Sequence, residues 1–248
     1  MTAYADFLAG KRRVVGDLGP AVQAGAVHPL LFPFQRDLVK WAVRKGRAAL
    51  FADTGLGKTF MQLEWARLIG ERTLIVAPLS VARQTVREAH KIGLDVTYVR
   101  DQAAVVGKGR LWITNYEMVE HFDPAAFPCV VLDESSILKS LDGKTRQKLT
   151  AMFAATPYRL CATATPAPND IAEIGNHSEF LGVMPHHEML SAFFVHGTLD
   201  SGKDGWRLKG HAEDAFFRWL ASWGMSVRRP SDLGYDDDGF ILPELVIL

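Results

Sequence analysis

The sequence predicts an α/β fold, a three-layer parallel sheet with helices on both faces and a helical extension at the C-terminal end. Short apolar runs alternate with longer segments whose apolar residues recur at helical spacing, which is typical of βαβ units. Short apolar strands that alternate with helices are typical of a parallel sheet that is covered on both faces. The chain has 248 residues, 48% of them hydrophobic, so it is long enough to bury such a core and is not a disordered chain.

The elements of the predicted lobe follow one another from residue 33. Apolar residues recur at helical spacing in residues 33–46, which predicts the first helix. Five apolar runs predict strands, at residues 47–52, 73–78, 110–115, 129–134 and 158–165. Three further helices are predicted between these strands, at residues 58–69, 80–92 and 143–155.

The pattern changes after residue 183. Two aromatic-rich helices, His186–Val195 and His211–Trp223, are predicted on either side of a Gly/Asp loop. We therefore divide the chain into an N-terminal extension (1–27), a parallel-sheet lobe (28–182) and a helical extension (183–248).

The sequence argues against three kinds of protein: one held together by disulfides, one that spans a membrane and one with a structural zinc ion. The net charge is 0, and the two cysteines, Cys129 and Cys161, lie in apolar runs, so they are expected to be buried core residues. The chain begins without an apolar signal region and has no apolar stretch of membrane-spanning length, so we expect a cytoplasmic protein without a membrane partner. Four histidines lie near one another in the sequence: His177, His186, His187 and His196. Their spacing matches no familiar pattern of zinc ligands, so no structural zinc is expected.

Residues 52–59, ADTGLGKT, fit the phosphate-loop pattern, with alanine at its first glycine position. Gly55 and Gly57 let the backbone bend so that amide groups face phosphate oxygens. Lys58 supplies a positive charge for the β- and γ-phosphates, and the Thr59 hydroxyl is a ligand for Mg²⁺. The loop lies between a predicted strand and a predicted helix, as this motif requires. The predicted nucleotide-binding residues of the loop are Asp53, Thr54, Gly55, Leu56, Gly57, Lys58 and Thr59.

Asp133 and Glu134 end the apolar strand VVLDE. The carboxyl ends of parallel strands meet at one edge of a sheet, so this acidic pair is predicted to lie beside the phosphate loop. Asp133 is predicted to hold Mg²⁺ through water, and Glu134 to polarise the attacking water. On its own, an acidic pair at this place is more typical of a helix N-cap, and it is the phosphate loop upstream that favours a site.

Six segments in this order resemble the superfamily-2 helicases and translocases of the DEAD/DEAH-box type, above all the Snf-like branch with its short phage-type members. The segments are PFQRD (33–37), DTGLGKT (53–59), VAPLS (76–80), ITNYE (113–117), DESSILKS (133–140) and TATPAPND (163–170). Ser135 and Ser136 replace the Ala-His or Ala-Asp pair of the family's acidic box. Residues 218–245 are similar to the Arg-Arg segment that closes the first motor lobe, so the resemblance covers about residues 28–248.

The resemblance implies roles for residues outside the phosphate loop. Gln35 would bond the adenine edge, and Lys58, Asp133 and Glu134 would be catalytic. Thr163 and Thr165 would couple nucleotide state to nucleic-acid contact, an interpretation that the following prolines favour over an ordinary strand. The residues implied in gripping nucleic-acid phosphates are Pro78, Ser80, Arg83, Asn115 and Tyr116.

Two of these residues have other interpretations. For Arg83, a solvated helix face beside Glu88 is as good an interpretation as phosphate binding. Ser80 is also predicted to be the N-cap of its helix.

The implied function is that of an ATP-binding motor lobe which couples Mg²⁺–ATP hydrolysis to tracking along DNA. Motors of this type use a second lobe that supplies arginine fingers, and no such lobe fits after Leu248, so we expect one in cis or in trans. Arg228 and Arg229 are not expected to replace the fingers, because the family places this segment on the first lobe. Two alternatives stay open: a non-motor ATP-dependent binding module or silent helicase fragment, and a different phosphate-loop enzyme such as a kinase or signalling GTPase.

Overall fold

The computed structural model of the chain describes residues 14–23, 25–140, 143–167, 170–198 and 204–240. Nine strands are formed in these ranges: β1 (Arg47–Ala52), β2 (Thr73–Ala77), β3 (Val96–Tyr98), β4 (Leu111–Asn115), β5 (Cys129–Asp133), β6 (Tyr158–Thr163), β7 (Phe194–Thr198), β8 (Asp204–Leu208) and β9 (Gly224–Val227). Eight α-helices are formed in the same ranges: α1 (Pro33–Lys45), α2 (Lys58–Ile69), α3 (Leu79–Lys91), α4 (Ile137–Ser140), α5 (Gly143–Met152), α6 (Ile174–Leu181), α7 (His186–Phe193) and α8 (Glu213–Ala221).

Seven of the strands form one sheet in the order β3–β4–β2–β5–β6–β1–β9, and every neighbouring pair in it is parallel. Helices cover both of its faces, so the predicted three-layer α/β class is confirmed. All the strands point the same way, and their carboxyl ends therefore form one edge of the sheet, where the loops that follow them gather.

Each face of the sheet has its own hydrophobic core, because successive side chains of a strand point to opposite faces. In β2, Ile75 and Ala77 pack into the core formed with α1, α2 and α3. Leu74 and Val76 pack into the core on the other face, together with the aromatic residues of α6, α7 and α8. Both faces of β2 are fully buried, which is why the strand reads as a continuous apolar run without alternation.

Three features of the sheet and its extension were not predicted. The edge strand β3 is too short to give a pattern. Residues 194–198 and 204–208 form an antiparallel hairpin, so the helix predicted to reach Val195 ends at Phe193. The last helix is also shorter than predicted, and the chain then adds β9 to the sheet beside β1. In β9, Gly224 fits close to the Phe51 ring, where a Cβ would come within 3.1 Å of it.

The described part of the N-terminal extension packs along the lobe. The Leu18 amide donates to the Lys45 carbonyl oxygen, and the Gly19 amide donates to the Arg44 carbonyl oxygen at 3.0 Å. Residues 1–13 and 24 of the predicted extension lie outside the described residues, as do 168–169 of the TATPAPND segment and 241–248 of the predicted tail.

The predictions about membrane spans, metal-binding groups and cysteines can be compared with the described residues. Within the described ranges, no helix combines the length and apolar character needed to cross a membrane. No three His, Cys, Asp or Glu side chains of the described residues are grouped so that they would hold a metal ion. Cys129 and Cys161 are buried free thiols, as predicted.

Candidate nucleotide site and nucleic-acid face

The phosphate loop joins β1 to α2 at the carboxyl edge of the sheet. Gly55 and Gly57 have φ of 86° and 75°, values that a residue with a side chain adopts only under strain. Leu56 is buried and packs its side chain into the hydrophobic core, whereas Asp53 and Thr54 are exposed. The Lys58 ammonium donates to the Ala52 carbonyl oxygen at 3.0 Å. Lys58 and Thr59 lie in the first turn of α2, directly after the loop.

Gln35 holds the loop from α1. Its side-chain amide donates to the Leu56 carbonyl oxygen at 2.9 Å, and its side-chain oxygen accepts from the Phe32 amide at 2.9 Å. A Cβ on Gly57 would overlap the Gln35 amide nitrogen and displace it from the Leu56 carbonyl oxygen, and the φ of 75° favours glycine in addition. Gln35 is 3% exposed. Its contact with adenine stays a prediction, and the structure adds a role in fixing the loop.

The acidic turn, residues 133–136, follows β5 at the same edge. Among the described residues, Glu134 is the one non-glycine residue with positive φ, at 50°. This left-handed conformation costs about 1–2 kcal/mol for a residue with a side chain, and it persists only where neighbours hold it. Strain of this kind concentrates at functional sites, which makes the acidic turn the candidate catalytic element.

Asp133 is buried beneath the turn. Its Oδ1 accepts from the side-chain amide of Gln62 at 2.8 Å and from the Glu134 backbone amide at 3.0 Å. Burial raises the pKa of Asp133, and the like charge of Glu134 adds to the rise, while the Gln62 hydrogen bond and the Lys58 charge oppose it. Gln62 belongs to α2, so this bond fixes the acidic turn against the helix that begins at the phosphate loop.

Glu134 and Thr163 connect two of the six motifs. The Thr163 hydroxyl donates to Oε2 of Glu134 at 3.4 Å, and the Thr165 backbone amide donates to that hydroxyl at 3.2 Å. Thr163 is buried at the end of β6, while Thr165 is exposed beyond it. A movement of the 163–165 segment therefore reaches the Glu134 carboxylate through one contact.

The residues at this edge fit a magnesium ion. Mg²⁺ prefers oxygen ligands and is bound in such sites through one or two protein groups together with phosphates and water. The Asp133 carboxylate, whose pKa is raised by burial and further by the neighbouring Glu134, and the Thr59 hydroxyl on the adjoining helix are oxygen donors of the kind that this coordination needs. The divalent charge would relieve the repulsion between Asp133 and Glu134.

The predicted nucleic-acid residues lie on the other half of the same edge. β2 and β4 are neighbours, and their register places Ala77 beside Asn115, so Pro78 and Asn115 end adjacent strands. Arg83 is exposed one turn into α3. A groove of about 480 Å³ lies here, lined by Leu79, Arg83, Tyr98, Arg100, Asn115, Glu117 and Met118. We call it the edge groove.

Asn115 and Tyr116 are engaged within the lobe. The side chain of Asn115 accepts from the Tyr98 hydroxyl at 2.8 Å and donates to the Glu117 carboxylate. The Tyr116 hydroxyl donates to the Asp133 carbonyl oxygen at 2.8 Å. Tyr116 is buried, and burial together with the Asp133 charge raises its pKa well above the ordinary value. The structure therefore shows Tyr116 supporting the acidic turn, a role that the sequence did not suggest.

The prediction that Ser80 caps α3 is wrong. The N-cap is Pro78, whose carbonyl oxygen accepts from the Val81 and Ala82 amides at 2.9 and 3.1 Å. Proline fixes φ at a value that suits the residue before a helix, so α3 begins at Leu79. Ser80 is exposed in the first turn of α3, and the cap of this helix includes no side-chain hydrogen bond.

Arg228 and Arg229 are exposed after β9. Their backbone amides both donate to Oδ2 of Asp232, at 2.7 and 3.3 Å. The Asp53 amide donates to the Val227 carbonyl oxygen at 3.0 Å, so this turn starts next to the phosphate loop. The sequence did not predict that neighbourhood, because it depends on β9 pairing with β1.

Gln62, which fixes Asp133, was missed by sequence reasoning. The signal available was a glutamine within a helix that is otherwise apolar almost all round. It is 2% exposed, and a buried amide at such a place has to find a partner in the fold.

The parallel sheet, the phosphate loop and the acidic turn together define a RecA-like helicase lobe. The SNF2-related domain family matches residues 34–194, and the chain belongs to this family. It is therefore homologous to the motor domains of SNF2-type helicases and translocases of superfamily 2.

Curated relatives are much longer than this chain. The chain is 29% identical over 194 residues to the SWI/SNF-related matrix-associated actin-dependent regulator of chromatin subfamily A-like protein 1 of Xenopus tropicalis, a match that covers 71% of this chain and 20% of that protein. The protein of the same name from Xenopus laevis is 27% identical over 170 residues, covering 62% and 17%. The chain thus spans about a fifth of the length of these relatives.

Solved structures support the fold. The Sulfolobus solfataricus SWI2/SNF2 ATPase core in complex with dsDNA is similar with a TM-score of 0.66 and 18% identity, covering 84% of this chain and 47% of that one. The UvsW helicase from bacteriophage T4 has a TM-score of 0.50 at 12% identity, covering 73% and 66%. At such identities the likeness shows the fold alone, so nothing here supports the narrower resemblance to phage-type members or to the DEAD box.

Proposed function

We propose that this chain is the ATP-binding lobe of a DNA translocase, which couples Mg²⁺–ATP hydrolysis to movement along DNA. The observation that carries the proposal is the contact between Glu134 of the acidic turn and Thr163, made at the sheet edge that also holds the phosphate loop. This arrangement links the group expected to activate water with the segment expected to respond to nucleic acid. Family membership supports the ATP-dependent class of activity.

Each residue at the edge has a proposed task. The backbone of the phosphate loop binds the phosphates, and Lys58 moves from the carbonyl oxygens it now contacts to the β- and γ-phosphates. Thr59 and, through water, Asp133 would hold Mg²⁺, which when bound would neutralise charge on the phosphate oxygens. Glu134 orients the attacking water, and the Thr163 hydroxyl keeps its carboxylate in place. Gln35 holds the loop and contacts the base.

DNA is the proposed polymer. The support is the edge groove, where Arg83 and Arg100 provide positive charge beside the ends of β2 and β4, together with the duplex DNA held by the similar archaeal ATPase core. Pro78, Ser80 and Asn115 lie at the same place. A second lobe, in cis or in trans, is proposed to supply the arginine fingers, since their loss typically lowers turnover by about 10³–10⁵-fold. A cytoplasmic location stays a prediction.

Steady-state ATP hydrolysis by the chain together with a second helicase lobe supplied in trans tests the proposal, measured with and without duplex and single-stranded DNA. The control is a Lys58→Ala variant prepared in the same way. Hydrolysis that DNA stimulates and that the variant lacks is the expected result. ATP binding without any DNA-dependent hydrolysis contradicts a motor and favours the ATP-dependent binding module, and stronger stimulation by RNA contradicts the choice of polymer.

A further inference from the structure

His177 of α6 has no task in the proposed reaction, yet it contacts the acidic turn directly. Its Nε2 lies 3.1 Å from Oγ of Ser135, the residue after Glu134. Both side chains are buried, His177 at 1% and Ser135 at 0% exposure. The Ser135 backbone amide also donates to the Ala162 carbonyl oxygen at 3.0 Å. Ser135 is therefore held on its backbone by β6 and on its side chain by His177.

The same imidazole ring contacts the strand that leads to the phosphate loop. Its edge packs against the Phe51 ring, with centroids 5.3 Å apart and planes at 81°. Phe51 precedes the loop by one residue and pairs in register with Thr163. His177 thus touches β1 and the acidic turn at once, from a helix that belongs to neither motif.

Stability alone does not account for a histidine here. The Nδ1 atom is buried and has no hydrogen-bond partner among the described residues. A buried polar atom left unpaired costs about 1–3 kcal/mol, and an apolar ring of similar size would avoid that cost. Burial also lowers the pKa of His177 to about 4, so the ring is neutral and adds no ion pair. What the histidine provides that phenylalanine does not is the contact with Ser135.

That contact adjoins the strained residue. Glu134 sits at φ 50°, and such a conformation persists only when the residues on either side are fixed. On one side Asp133 is fixed by Gln62, and on the other Ser135 is fixed by His177.

We propose that His177 is a positioning residue for ATP hydrolysis, which through Ser135 holds Glu134 in its left-handed conformation so that the carboxylate faces the phosphate loop. The inference rests on the proposed function of the lobe. His177 is proposed to affect the rate of the chemical step. It contacts Ser135 and Phe51 rather than the phosphate loop, so nucleotide binding should not depend on it.

The test compares kcat and KM for ATP in His177→Phe, His177→Gln and Ser135→Ala variants of the full chain, each assayed with the second lobe present. His177→Phe keeps the ring and removes the hydrogen bond, whereas glutamine places an amide near the position of Nε2. We expect His177→Phe to lower kcat about tenfold or more, as small misplacements of catalytic groups do, with KM within about twofold. We expect His177→Gln to recover most of the rate.

Ser135→Ala removes the other half of the contact and also a hydrogen bond with the Cys161 thiol, so it should lower kcat by at least a similar factor, and the double variant should be no slower than Ser135→Ala. This variant also keeps the test valid if His177→Phe fails to fold. Trp219→Phe is the matched control, since Trp219 is another buried ring whose nitrogen is unpaired within the described residues, and it lies on α8. Its kcat should be unchanged.

Three outcomes overturn the proposal: an unchanged kcat in both His177→Phe and Ser135→Ala, equal losses in the phenylalanine and glutamine variants, or additive losses in the double variant. An unmodified chain that shows no Lys58-dependent hydrolysis when the second lobe is present overturns the proposed function as well. Lys58-dependent hydrolysis that stays normal in both His177→Phe and Ser135→Ala overturns this inference alone.

Discussion

The phosphate loop and the acidic turn lie at one edge of one sheet, but they are held in different ways. The loop, residues 52–59, takes its shape from consecutive residues: two glycines with positive φ and the start of α2. The acidic turn is held by Gln62, Thr163 and His177, which lie 71, 29 and 42 positions away from the residues they contact. The loop's geometry is set mainly within the loop, with single distant contacts from Gln35 and Val227, and that of the turn depends on the whole lobe.

Because of this difference, the two elements respond differently to movements in the rest of the lobe. A loop that is shaped locally binds phosphate wherever a strand and a helix flank it. A strained turn that is braced by three other elements responds to any movement of those elements. The turn is therefore the better place to couple hydrolysis to events elsewhere in the motor, and the loop the better place to hold the nucleotide throughout.

The largest effect that separates the two elements is expected for Glu134→Gln. The amide keeps the size of the side chain but does not polarise water, so hydrolysis should fall about 10²–10⁴-fold, the usual contribution of such a group. The affinity for ATP should change little, because the loop is intact. Single-turnover hydrolysis and equilibrium binding measure the two quantities; a parallel loss of binding would show that the two elements are not separable.

The pH dependence of the free energy of unfolding tests whether the buried His177, which contacts the acidic turn, is neutral in the fold. The pKa of His177 is lowered to about 4 in the fold, so between its unfolded pKa of about 6.5 and pH 4 the unfolded chain binds more protons. The stability that the neutral ring contributes is present above the unfolded pKa and is lost as the pH falls. Wild type should lose about 3 kcal/mol more of its free energy of unfolding between pH 7 and pH 4 than His177→Gln.

Denaturant unfolding of both proteins across this range measures that difference. Asp133, whose pKa is raised, acts with the opposite sign, but it titrates in both proteins and cancels in the comparison. Parallel curves for the two proteins would exclude a neutral His177 in the fold.

Gly57→Ala tests the local geometry of the loop. The change strains φ 75° and drives a Cβ into the Gln35 amide, so it should lower the free energy of unfolding by about 2 kcal/mol and weaken ATP binding. Gly93→Ala is the matched control: its φ is 67°, and nothing lies within 4 Å of its Cβ, so it should show the φ strain alone. Equal losses in thermal unfolding would mean that Gln35 does not hold the loop.

The smallest effect concerns the strain of the turn itself. Glu134→Gly and Glu134→Ala both remove the carboxylate and its Thr163 contact, but glycine adopts φ 50° without a steric penalty. The glycine variant should therefore be more stable than the alanine variant by about 1 kcal/mol. Differential scanning calorimetry of the pair measures this; an alanine variant as stable as the glycine one would mean that the turn relaxes when the carboxylate is removed.

The same contrast explains how far the sequence predicted the molecule. The strands and helices of the parallel sheet follow from apolar runs and helical spacing, and the loop follows from a motif of consecutive residues. The pairing of β9 with β1 was not predictable, because a four-residue strand carries no pattern of its own. Nor were the tasks of Gln62, Tyr116 and His177, since each is defined by a partner brought near only by the fold.

Calorimetric titration of the chain with Mg²⁺–ATP, with Lys58→Ala beside it, tests whether the phosphate loop binds the nucleotide. We expect saturable binding at one site per chain that is lost in the variant. Binding of equal strength in both proteins, or none in either, would contradict it.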